Sequence, residues 1–117
     1  MVPSEHVIAL STALFVIGVV GVLVRRNGLA ILMSLELMLA GACLAFVGFD
    51  DAAYQREGEA QAAGEATSIS VSHSGQVFAL LIGCAAAAQV AVGLGLLVAL
   101  FRNRNTLDVE AANLLRW

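Results

Sequence analysis

Three long stretches of this chain are almost free of charge, and their positions predict its architecture. Val7–Val24 runs 18 residues with no charged side chain, and Gly28–Phe49 runs 22 with Glu36 alone. Gln76–Phe101 runs 26 with none, Gln89 being the one strongly polar residue inside it. A helix rises about 1.5 Å per residue, so about 20 apolar residues cross a hydrocarbon core about 30 Å thick. In lipid only helices and closed barrels satisfy their own backbone groups, and these runs lack the polar–apolar alternation of barrel strands. The pattern predicts an all-α membrane protein, a single membrane domain of three transmembrane helices over about 5–24, 28–49 and 75–101. An outer loop over 50–74 and a tail over 102–117 complete the chain.

The connections orient these spans. Arg25 and Arg26 sit in a first connection too short to be anything but a turn, so the first two helices form an antiparallel hairpin. Arg102 and Arg104 follow the third span and fall on the same side. The segment Asp50–Gly75 lies opposite and carries Asp50, Asp51, Glu57, Glu59 and Glu65 against Arg56 alone. The excess of Arg on one side predicts an outer N-terminus and a cytoplasmic C-terminus. The first run reads as a span rather than a cleaved leader. Met1–His6 carry Glu5 and no Lys or Arg, and the run ends on Arg25-Arg26 instead of a small-residue cleavage site. The second connection is longer than most and reads as a solvated segment, in which a short helix over Ala53–Ala63 competes with Gly58 and Gly64. In the tail Thr106 and Asp108 are candidate helix caps, and Leu107, Leu114, Leu115 and Trp117 suit a membrane interface or a neighbouring protein chain.

Composition narrows the class further. Hydrophobic residues make up 60% of the 117 and charged residues 13%, against about 45–50% and about 25% in globular domains. A soluble domain this small has no room to bury so much apolar surface. The formal net charge is −3, with no Lys, so the basic footprint of a nucleic-acid binder is absent.

Two polar residues stand where they cost free energy. Glu36 lies eight residues into its run, about 12 Å deep by the helical rise, too deep for its short side chain to reach water. A charged side chain at mid-span costs about 2.5–3.5 kcal/mol to insert. Such a carboxyl is either a proton-relay or ion-path site, or a structural group held by a neighbouring helix; intramembrane acids default to the former. Gln89 lies about 18 Å from the same side, within about a turn of Glu36 in depth. It can hydrogen-bond a carboxyl or hold a water but cannot take and release a proton. Interhelical glue is an equal reading of it, since Ala85, Ala86 and Gly93 share its face. Arg25 and Arg26 read first as topology anchors. Ser11, Thr12 and Ser34 can bond back to their own helix. Cys43 and Cys84 lie in spans without metal-ligand spacing, and His6 and His73 lie in separate outer segments, so no metal or cofactor site is predicted in this chain.

The chain resembles the small three-helix subunit K of the proton-pumping NADH–quinone oxidoreductase, respiratory complex I. The likeness is carried by LFVIGVVGVLVRRNGLAILMSLELML (Leu14–Leu39), GQVFAL (Gly75–Leu80) and AAAAQVAVGLGLLVALFRNRNTLDVEAANLL (Ala85–Leu115). It implies a non-redox membrane-arm subunit in the cell inner (plasma) membrane, packed against A-, J- and N-type subunits. NADH, flavin, iron–sulfur clusters and quinone are then expected in partner subunits. It also puts Glu36 at the family's second-helix glutamate on a hydrated proton-coupling path, and Arg25 and Arg26 at its arginine pair. Two features depart from the family. Gln89 stands where many members carry a second glutamate, and the second connection is longer than usual. The alternatives are a C-type component of a multisubunit sodium/proton antiporter, and a component of a related membrane-bound hydrogenase or ferredoxin/F420-linked oxidoreductase. A rotary-ring proteolipid is disfavoured by the third span, and a purely structural assembly subunit would tolerate loss of Glu36.

Overall fold

A computed structural model describes residues 3–64, 74–113 and 115. It is all-helical: α1 (Ser4–Val24), α2 (Gly28–Ala62), α3 (Ser74–Arg104) and a 3-10 turn, η1 (Glu110–Ala112). All three long helices are long and apolar enough to cross a membrane.

Local chemistry explains where each helix starts and stops. Pro3 precedes α1 in extended conformation, and Glu5 in the first turn complements the helix dipole. At the other end Arg25 returns to extended backbone while its N–H donates to Gly21 O at 3.2 Å. Asn27 then opens α2 by accepting the Leu29 N–H on Oδ1 at 3.0 Å, the preferred role of Asn at a helix start. Asn105, with φ 55, closes α3 in the left-handed conformation, and its N–H donates to Phe101 O at 2.7 Å. Arg102 and Arg104 lie in that last turn, where cations suit the negative end of the dipole.

The second helix corrects the sequence reading. It runs unbroken for 35 residues, past Phe49 and through the stretch expected to begin the outer loop. Its length is about 52 Å by the helical rise, well beyond a hydrocarbon core of about 30 Å. Ala, Glu, Gln and Arg favour the helix after Phe49, and one Gly at 58 costs only about 1 kcal/mol. Gly64 follows its end with φ +78, a conformation that suits glycine. His73, Glu65, Leu114 and Trp117 fall outside the described residues.

α2 is the middle layer, with α1 against one side and α3 against the other; α1 and α3 share no contact among the described residues. Small residues set both seams. On the α1 side a Cβ at Gly41 would meet Ser11 O at 2.9 Å and Phe15 N at 3.1 Å, and one at Gly48 would meet Val7 Cγ1 at 3.0 Å. Ser11 and Thr12 hydroxyls donate to Ile8 O, and Ser34 to Ala30 O, at 2.8–2.9 Å. Their polar atoms are therefore satisfied inside their own helices, as the sequence suggested.

Candidate functional site

The α2–α3 seam can be followed turn by turn. At one end a Cβ on Gly28 would meet Leu97 Cδ2 at 2.6 Å; one turn on, a Cβ on Gly93 would meet Leu32 Cδ1 at 2.7 Å. The next turn along both helices brings Glu36 on α2 level with Gln89 on α3. Beyond them Cys43 Sγ donates to Ala79 O at 3.6 Å, and Phe46 stacks on Phe78 with ring centroids 6.0 Å apart. The antiparallel register thus puts Glu36 and Gln89 at one level of the seam, with no hydrogen bond to Glu36 Oε1 from any described residue.

Both are half-buried. Glu36 Oε1 is fully buried and has no hydrogen-bond partner among the described residues. A buried acceptor left unmatched costs about 1–3 kcal/mol or more. Gln89 shares the half-buried stripe of α3 with Ala86 and Gly93, small residues that let the helices approach. The candidate site is therefore a half-buried acid with one unpartnered carboxyl oxygen on α2, level with the half-buried Gln89 of α3.

Arg25 and Arg26 lie apart from this pair, exposed at the end of the hairpin. Arg26 Nη1 donates to Glu110 Oε2 at 3.0 Å, with 73% and 64% of the two side chains accessible. Such an ion pair contributes little. Cys84 is exposed on α3 while Cys43 is half-buried, and both are free thiols. Among the described residues no group of three or more His, Cys, Asp and Glu side chains is placed to hold a metal ion.

Two features escaped the sequence. Asp50, counted there with the solvated acids of the outer loop, is 8% exposed. It lies in the α2–α3 seam, where Oδ1 accepts the Gly75 N–H at 3.4 Å. Its heptad spacing from Cys43 places it on the α3-facing stripe, a signal readable only once α2 is known to continue past Phe49. The other is the tail. Thr106 Oγ1 accepts the Asp108 N–H and Asp108 Oδ1 the Glu110 N–H, both at 3.1 Å. These caps shape an extended segment and a short turn, not a further α-helix.

Three helices long and apolar enough to cross a membrane, packed side by side through small-residue seams, define a small helical membrane protein. The chain belongs to the NADH-ubiquinone/plastoquinone oxidoreductase chain 4L family, whose profile it matches over residues 6–117. It is 46% identical over 116 residues to the NADH-quinone oxidoreductase subunit K of Roseiflexus castenholzii, covering 99% of each chain. It is 44% identical over 115 residues to the subunit K of Ectopseudomonas mendocina, covering 98% of this chain and 96% of that one. The subunit K of Acidobacterium capsulatum is 41% identical over 116 residues, with 99% of both chains covered.

Proposed function

We propose that this chain is a membrane-arm subunit in which Glu36 stands on the path coupling quinone reduction to proton movement. Membership of an NADH–quinone oxidoreductase follows from the family. The observation that carries the role of the carboxyl is Glu36 Oε1, buried in the α2–α3 seam with no partner among the described residues. A purely structural acid is retained where its hydrogen bonds offset the cost of burial. An unmatched carboxyl oxygen at mid-span is instead poised to accept a proton or a hydrogen bond when a neighbouring group or water is brought to it.

The division of labour follows from the side chains. Glu36 takes a proton from one side and releases it to the other. Gln89 offers an amide that can hydrogen-bond a carboxyl or hold a water but exchanges no proton of its own, so the next titrating group lies beyond it, in water or in a partner subunit. Electron transfer belongs to partner subunits that carry NADH, flavin, iron–sulfur and quinone sites. A-, J- and N-type subunits cover the apolar outer faces of α1 and α3. In the inner (plasma) membrane the arginine turn and the C-terminus face the cytoplasm, and the acidic extension of α2 faces outward.

The test is Glu36→Gln in the intact complex, reconstituted in vesicles, with proton uptake and NADH-driven quinone reduction followed together. Loss of a proton-exchanging group is expected to lower pumping by about tenfold or more in a complex that still assembles, because Gln fills the same space. Pumping and turnover at the unsubstituted level would remove Glu36 from the path.

A further inference from the structure

The tail beyond α3 folds back as an extended segment onto the turn between α1 and α2. Asn27 and Asp108 form an antiparallel bridge, in which the Gly28 N–H donates to Leu107 O at 2.9 Å and the Val109 N–H to Arg26 O at 3.0 Å. Leu107 also lines, with Leu29, Leu97 and Phe101, an apolar crevice between the ends of α2 and α3. Gly28 has little room for a side chain, since a Cβ there would meet Leu97 Cδ2 at 2.6 Å and Leu107 O at 3.4 Å. The Arg26–Glu110 ion pair adds to the junction, but its exposure leaves the backbone bonds and Leu107 as the main hold.

We infer that Leu107–Glu110 is a fixed strap that positions α3 against α2 at the level of Glu36 and Gln89, acting through the backbone of the arginine turn rather than through its charges. The inference rests on the reading of Glu36 as a proton-path residue. Glu36 lies eight residues from Gly28, about 12 Å along α2. Between the strap and the Asp50–Gly75 contact the seam is held by Leu32 against Gly93, by Cys43 Sγ on Ala79 O and by the Phe46–Phe78 stack, while Glu36 Oε1 makes no hydrogen bond to any described residue. No backbone-to-backbone hydrogen bond joins α2 to α3 along that stretch among the described residues, so the strap supplies the main-chain hold at its end of the seam. The strap is one end and Asp50 with Gly75 the other.

Val109 offers a selective probe. Its φ is −65, the angle that proline imposes, so Val109→Pro deletes the N–H donated to Arg26 O without forcing that angle. Val109→Ala keeps the donor. In the intact complex, Val109→Pro is expected to lower protons moved per electron at least about twofold, and Val109→Ala to leave the ratio unchanged. A second probe replaces Asn27→Cys and Asp108→Cys together. Partners in a non-hydrogen-bonded antiparallel pair lie about 4.5 Å apart at Cα, inside disulfide reach of about 4.4–6.8 Å. Oxidation of the purified complex is expected to cross-link the pair and leave turnover and the proton-to-electron ratio as they are in the reduced state. Three results would each overturn the strap: no cross-link, a Val109→Pro complex that pumps normally, or an oxidised pair that halts turnover until reduced. Cross-link yield reads the strap without reference to proton movement, so its failure is separate from failure of the Glu36 reading, which Glu36→Gln decides.

Discussion

At the scale of single residues, the proposed function rests on one carboxyl and on an amide level with it along the α2–α3 seam. Glu36 and Gln89 stand one turn beyond the Leu32–Gly93 contact, and Glu36 Oε1 is buried without a partner among the described residues. A carboxyl at position 89 would share the seam with Glu36, and two acids so close cannot both stay charged in a dry site. On the proton-path reading the seam is wet during turnover. Gln89→Glu is therefore expected to assemble and to pump at the parental level within a factor of about two, measured as complex yield and proton uptake in vesicles. Loss of assembly would mark position 89 as dry packing instead.

Among elements, the α1–α2 hairpin is held by backbone approach rather than by large side chains. Gly41 is the clearest example, because the atoms a Cβ would meet, Ser11 O and Phe15 N, are main-chain and cannot move aside. Overpacking of this kind costs about 1–3 kcal/mol, so Gly41→Val is expected to lower the thermal stability of the complex or its yield. At Gly58, on the polar extension of α2, a Cβ would meet nothing within 4 Å, and Gly58→Ala is expected to lower neither. Thermal melts of the two variants in detergent check the pair. At the opposite seam, Asp50 acts from the middle of one helix on the start of another. Beyond its contact with Gly75, α2 continues as a polar extension to Ala62.

The whole molecule is a narrow slab with principal extents of 68 × 28 × 23 Å. Leu32 is its one buried hydrophobic side chain among the described residues, and no described residue of α3 is fully buried. Leu10, Ile17, Leu23, Leu80, Leu96 and many similar side chains face outward, where lipid or other helices replace a core. The sidedness proposed from the arginines is testable at this scale. Glu59→Cys, on the exposed extension of α2, is expected to react with a membrane-impermeant thiol reagent in intact cells. Asn103→Cys, at the end of α3, is expected to react only after the membrane is opened. The reverse pattern would invert the proposed topology.

Hydrophobic run length alone determined that there are three crossing helices, because lipid leaves the backbone no other way to satisfy its polar groups over such spans. That Glu36 and Gln89 fall at one level of their antiparallel helices was equally legible, since helical rise converts residue count into distance. The family resemblance was carried by contiguous segments around the arginine turn, Glu36 and the third span. Tertiary structure decided what depends on meetings between distant segments. Pairing of Asn27 with Asp108, burial of Asp50 against Gly75, and the ion pair of Arg26 with Glu110 join residues far apart in the chain, and no local periodicity encodes them. The continuation of α2 past Phe49 lay between the two cases: the helix formers were visible, but Gly58 and the rising polarity spoke against them until α3 was seen to start beside Asp50. An acid looks solvated in a sequence whenever its neighbours are polar; whether water reaches it is settled by the helix that packs over it.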